Sequence, residues 1–210
     1  WGDPNRPETL GSLVEAARGC RDAALRYRAP FISGKDSLNN EYRGPDGRRH
    51  AIPPTLLISA IGLIEDVSQA VTMDLKEPGN TLYLLGETRD ETGGSHWGLV
   101  AGVAGGAVPA PVEDAPALYT ALHAAMRASE VRACHDLSEG GLAVAAAEMC
   151  IGGRLGLALS LPQSEAVPAL FSESNGRLLA EVRPAQQASF EARFAGLPLT
   201  RLGVVTTAPQ

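Results

Sequence analysis

Cysteine is scarce here: Cys20, Cys134 and Cys150 are the three in 210 residues. None stands in a C-x-x-C pair, so a disulfide framework is excluded, and an odd, scattered set points to reduced thiols in the cytosol. The four histidines, His50, His96, His123 and His135, have no zinc spacing. No G-x-S-x-G elbow occurs, and the 102–106 glycine run lacks the G-x-G-x-x-G order of a dinucleotide fold. Net charge is −6, and no stretch is basic enough to track a phosphate backbone, which argues against nucleic acid. No apolar run approaches the roughly 20 residues of a membrane span, and no signal-peptide pattern is present.

What remains is ordinary globular composition, 44% hydrophobic and 20% charged, in a length that suits one large domain or two modest ones. The chain opens Trp1-Gly2-Asp3-Pro4 without a methionine, an opening compatible with processing that also suits a piece of a longer chain. Leu10, Leu13, Val14 and Ala17 follow i, i+3, i+4, i+7 spacing, so a helix capped by Thr9 is predicted to reach about Tyr27, where Pro30 stops it. A short strand is predicted at 31–33 and a polar loop over 43–54, with dense turn chemistry at Gly44-Pro45-Asp46-Gly47. The run TLLISAIGLI at 55–64 is apolar without alternation and reads as a strand buried on both faces. The pattern breaks near 70–78, and further strands are predicted at 81–85, 131–135, 156–161, 177–182 and 202–205. Leu118, Leu122, Ala125 and Met126 mark one helix, and Leu142, Ala145, Ala146 and Met149 another. Residues 107–116 read as a linker. Without strict strand–helix alternation, the expected class is α+β, a mixed sheet packed by helices.

Three polar stretches can carry chemistry. Ser33-Gly34-Lys35-Asp36-Ser37 offers backbone amides, an ammonium and a hydroxyl to an anion. It is not a Walker loop, because Ala29 stands where the leading glycine belongs and Asp36 follows the lysine; the plainer alternative is a turn with a solvated Lys–Asp pair. His135-Asp136-Leu137-Ser138-Glu139-Gly140-Gly141 joins a strand to a helix. There Asp136 or Ser138 can cap the helix, whose amides favour a phosphate, or Asp136 can hold Mg²⁺ through oxygen; a mere capping turn is the alternative. Ser172-Glu173-Ser174-Asn175-Gly176-Arg177 can grip a ribose or phosphate by hydroxyl, amide and guanidinium, or be a surface turn. Cys134 and His135, adjacent on a predicted strand, face opposite ways and make no thiolate pair.

Taken in order, WGDPNRPE, SGKDSLNNEY, IPPTLLISAIGLIED, LLGETRDETGGS, HDLSEGGLAVAAAEM and SESNGR resemble the phosphoribosylformylglycinamidine synthase ligase subunits, of the aminoimidazole-ribonucleotide synthetase superfamily. The resemblance covers nearly the whole chain. That family is internally duplicated, each half an A domain followed by a B domain. By this likeness residues 1–72 correspond to the end of the second A domain and 73–210 to a complete synthetase-type second B domain.

The family converts formylglycinamide ribonucleotide to its amidine with ATP, Mg²⁺ and ammonia from glutamine; ATP phosphorylates the amide oxygen and ammonia displaces the phosphate. The resemblance implies a cytoplasmic enzyme whose partners are the N-terminal half, a glutaminase subunit and a small accessory subunit, with this piece inactive alone. It places Gly34 and Lys35 at ATP and Ser37 at the substrate. Lys35 has no lone pair for Mg²⁺, so either Asp36 takes the metal or Lys35 neutralises the phosphate. It places Asp136, as a metal ligand, with Glu173, Ser174 and Asn175 in an auxiliary nucleotide site without turnover. The alternatives are a non-catalytic domain of the same fold and another superfamily enzyme.

Overall fold

The computed structural model describes residues 1–161 and 165–207, in two compact units, Trp1–Leu63 and Ile64–Gln210.

The first unit holds helix α1, Pro7–Tyr27, and a hairpin of β1, Glu41–Arg43, and β2, Arg49–Ala51. Arg6, not Thr9, is the N-cap of α1; Pro7 opens the first turn, where its missing N–H costs nothing. The helix ends as expected, with Arg28 left-handed at φ 53° and Pro30 beyond it. Residues 43–54 are more ordered than a loop, because the 44–47 turn lets β1 and β2 pair. The buried Glu41 carboxylate accepts from Asp3 N at 3.0 Å and lies 3.7 Å from Arg6 and 3.6 Å from Arg49.

Two predicted strands are absent. Residues 31–33 and 55–63 form no ladder, and the latter are exposed, Leu57 by 89% and Leu63 by 96%. An apolar run becomes a strand only beside neighbours that take its hydrogen bonds and cover its faces; no described segment does either. No residue of α1 is buried, so its stripe at Leu10 and Val14 also stands open.

The second unit is built on a five-stranded sheet: β3, Thr81–Leu85; β4, Val131–Asp136; β5, Gly156–Leu159; β6, Leu178–Val182; and β7, Leu199–Thr206. The order is β4-β6-β3-β7-β5. The class is α+β as expected, and each pairing within this sheet is antiparallel. Among the described residues five helices accompany it: α2, His96–Ala101; α3, Ala115–Arg127; α4, Gly141–Gly153; α5, Ala166–Phe171; and α6, Gln187–Arg193.

β3 has every residue buried because it is central and covered twice. Leu82 and Leu84 pack with Leu142, Ala145 and Met149 of α4. Tyr83 and Leu85 pack on the other face with Leu118 and Leu122 of α3 and Phe190 of α6. A run without alternation is what such a position demands. Among the described residues, no helix is long and apolar enough to cross a membrane.

One carboxylate lies wholly inside. Glu181 of β6 accepts from Lys76 N at 2.8 Å, Glu77 N at 3.1 Å and the Asn80 amide at 2.6 Å, fixing the 76–80 turn that leads into β3. Removing the acceptor strands three donors, which is worse than never having built the site. Glu181→Ala is expected to lower unfolding free energy by about 3 kcal/mol in urea titration, and Glu181→Gln by less. Separately, the open 55–63 surface is expected to drive self-association of the 210-residue chain. Sedimentation velocity at rising concentration should show species above the monomer; a clean monomer throughout contradicts this.

Candidate functional site

In the first unit, residues 31–39 run exposed between α1 and β1. Their far end is held by the chain's opening: Asn39 N donates to Gly2 O and Asn40 N to Trp1 O, both at 3.0 Å. The Asn40 amide donates to Ser37 O at 3.1 Å. Lys35 Nζ donates to Ser37 Oγ, so ammonium and hydroxyl stand together at the turn, with Asp36 exposed between them. A Cβ added at Gly34 would meet nothing within 4 Å. Packing does not require glycine there, and the backbone is open to approach.

In the second unit, β3 and β4 end, and β6 begins, at one end of the sheet, where Leu85 and Asp136 both face Leu178 in register. The adjoining loops therefore meet. Asp136 closes β4 with its side chain 65% exposed. Ser138 Oγ donates to its Oδ2 at 2.5 Å and the His135 ring stands 3.3 Å from Oδ1. The Ser138 hydrogen bond, ahead of the charge of His135, holds the Asp136 carboxyl below the ordinary aspartate range. The other ring nitrogen of His135 meets Glu148 of α4 at 2.8 Å. Cys134 turns the opposite way, packing with the Tyr83 cluster, and burial pushes its thiol up to about 12, far from a nucleophile.

Neither Asp136 nor Ser138 caps α4; the N-cap is Gly140, at φ +80°, with no side-chain cap. Gly140 N donates instead to Glu173 Oε1 at 2.8 Å. Gly141 follows at φ +62°, and a Cβ there would stand 2.4 Å from Ser172 O. The two loops touch backbone to backbone, which only glycine permits.

The 172–177 stretch is an inward knot and not a surface turn. Ser172 and Ser174 are fully buried. Ser172 Oγ accepts from Glu91 N at 3.1 Å and donates to Arg89 O at 2.5 Å; Ser174 Oγ accepts from Arg89 N at 3.1 Å. Arg177, only 2% exposed, donates to Ser174 O at 3.0 Å, Thr88 Oγ1 at 2.9 Å and Ser172 O. Its guanidinium is spent inside, and burial, opposed by Glu91 and Glu173, brings it down to about 10. Asn175 is at the rim, its amide donating to Ala110 O at 3.2 Å. Glu91, which sequence reasoning missed, is buried and accepts from Ala110 N at 3.1 Å, drawing the 107–112 segment into the same cluster.

The family described as AIR synthase related protein, C-terminal domain, matches residues 77–210. The chain belongs to that family. Over 99% of its length this AIR synthase related chain is 38% identical to phosphoribosylformylglycinamidine synthase subunit PurL of Methanothrix thermoacetophila, covering 28% of that relative. The corresponding subunit of Lacticaseibacillus paracasei is 39% identical over 100% of this chain and 28% of its own length. The chain thus spans little more than a quarter of the curated relatives it matches.

Among solved structures, PurL of Thermotoga maritima complexed with FGAR gives a TM-score of 0.57 at 19% identity, over 68% of this chain and 26% of that one. The same protein complexed with ATP gives 0.53 at 20% identity, over 69% and 24%. PurLQS from that organism gives 0.54 at 22%, over 68% and 24%. At these identities the likeness concerns the fold.

In this AIR synthase related chain, Gly34, Lys35, Asp36 and Ser37 lie in the first unit; Asp136, Glu173, Ser174 and Asn175 lie in the second. Within the second, Glu173 joins the 136–141 turn to the 172–177 loop, and of the four only Asp136 and Asn175 are open or at the rim. Among the described residues no group of three or more histidine, cysteine or acidic side chains is arranged to hold a metal. Asp36 and Asp136 each present an exposed carboxylate, a hard oxygen donor of the kind Mg²⁺ takes singly when phosphates and waters supply the rest.

The depressed carboxyl of Asp136 sets a sign. Its contribution to stability is complete above the unfolded aspartate value, about 4, and is lost as pH falls through the lower folded value. By NMR titration Asp136 is expected to protonate below an ordinary aspartate, and Ser138→Ala to move it back upward; an unmoved titration would remove the hydroxyl as the cause.

Proposed function

We propose that this chain works as part of an ATP-dependent, amidine-forming carbon–nitrogen ligase of purine synthesis, the phosphoribosylformylglycinamidine synthase type. The observation that carries the proposal is the identity of 38% with PurL along 99% of the chain. In this reading residues 1–72 are the end of a second A domain and 73–210 a second B domain, and the piece is inactive by itself. The whole enzyme acts in the cytoplasm on formylglycinamide ribonucleotide. It uses ATP, Mg²⁺ and ammonia from a glutaminase subunit, in an assembly that includes a small accessory subunit.

The 34–37 turn is the part that faces the reaction. Gly34 leaves the backbone approachable, Lys35 brings a positive charge toward phosphate oxygens, and Ser37 presents a hydroxyl that already accepts from Lys35. Asp36, exposed beside them, is the oxygen donor available there if a metal is held. Local charge neutralisation by Lys35 supports the same binding without one.

For the second unit a separate reading is favoured by its hydrogen bonding: it is an auxiliary nucleotide site that supports the architecture and does not turn over. Ser174 and Arg177 spend their polar groups on internal hydrogen bonds. Asp136 and Asn175 line the rim, where Asp136 would hold Mg²⁺ on a bound nucleotide's phosphates.

The two readings separate in the full-length enzyme. Ser37→Ala is expected to lower kcat/KM by about tenfold or more, because it removes a contact to the reacting substrate. Asp136→Asn should leave kcat/KM within about twofold while weakening nucleotide retention by the purified protein. Steady-state kinetics with nucleotide analysis decides: unchanged kinetics for Ser37→Ala rejects the turn's role, and a large loss for Asp136→Asn rejects the auxiliary one.

A further inference from the structure

A carboxylate that accepts backbone hydrogen bonds from two elements distant in sequence fixes one against the other. Glu173 does so with a single oxygen. Its Oε1 lies 2.8 Å from His96 N, the first residue of α2, and 2.8 Å from Gly140 N, the residue before α4. The His96 ring stands 3.7 Å away, and the Glu173 side chain is 17% exposed. The surroundings keep it from swinging outward. Glu173 N donates to Glu91 O at 3.2 Å, and the serines on either side have their hydroxyls tied to the backbone of Arg89 and Glu91. The acceptor is also needed, because α4 has no side-chain cap of its own. A helix start attracts an anion through its free amides and the sign of its dipole; here the protein supplies that anion itself.

We infer that Glu173 is an internal anion that locks the start of α2 to the start of α4. It thereby sets the position of the 136–141 turn, Asp136 included, and is a positioning residue and not a contact for an external ligand. The lock follows from hydrogen bonding within the second unit and is independent of the ligase reading; either can fail without the other. It places the two loops under one control: a displacement of the 172–177 loop must be transmitted to Asp136.

The test is amide hydrogen exchange at His96 and Gly140, read by hydrogen–deuterium exchange mass spectrometry in the full-length protein. Losing a charge-assisted hydrogen bond is expected to speed exchange at both amides by about tenfold or more in Glu173→Ala. Glu173→Gln, which keeps an acceptor without the charge, should speed both by a smaller factor. Added acetate, a small carboxylate that can re-enter the gap, should slow exchange in Glu173→Ala and leave the parent chain unchanged. The inference is overturned if Glu173→Ala leaves both rates within about twofold of the parent, or moves only one of them. Equal slowing of both proteins by acetate overturns it too. Should the alanine variant not fold, Glu173→Gln carries the test at the same two amides.

Discussion

A guanidinium taken out of water must meet acceptors on every side, or the burial costs more than packing returns. Arg177 imposes that demand on the loop end of the five-stranded sheet, where its donors go to the carbonyls of Ser172 and Ser174 and the hydroxyl of Thr88. To present those carbonyls, the 172–174 backbone must turn inward. That turn buries two serine hydroxyls, which in turn hold Arg89 and Glu91. Glu173, between the serines, is left facing the starts of two helices. The position of Asp136 is thus the last link of a chain of satisfied polar groups beginning at one buried charge.

The first unit has the opposite character. Its buried carboxylate, Glu41, gathers the Asp3 amide and the charges of Arg6 and Arg49, while its apolar groups find no such cover. The 55–63 run and the α1 stripe face outward. Hydrogen bonding gives this region its local shape, with little apolar burial behind it.

Much of the second unit was legible in the residues. The strand at 81–85 was placed correctly, though its burial on both faces was not foreseen, and the stripes of α3 and α4 named core residues that cover it. The misses share a cause. TLLISAIGLI has the same composition as a central strand, but strandhood belongs to a pairing and not to a segment, and nothing local reveals whether partners are at hand. The short helices were overlooked although α2 carries a signal: Ser95 accepts from Gly98 N at 3.2 Å as an N-cap before an apolar turn. At the site, the residues of one polar block, Ser172, Ser174 and Arg177, face inward. Serine and arginine beside a strand look alike whether they face a ligand or the interior, and what decides is the distant backbone of residues 88–91.

The strand order carries a consequence for how the chain reaches this state. β3 is the middle of the sheet and the first of its strands to leave the ribosome, yet its partners β6 and β7 follow only at Leu178–Val182 and Leu199–Thr206. At usual rates of synthesis, a gap of about 100 residues amounts to roughly ten seconds. For that interval a five-residue apolar segment exists without either neighbour. A fold whose keystone strand is made first and paired last depends on the cell to keep that segment from finding another edge.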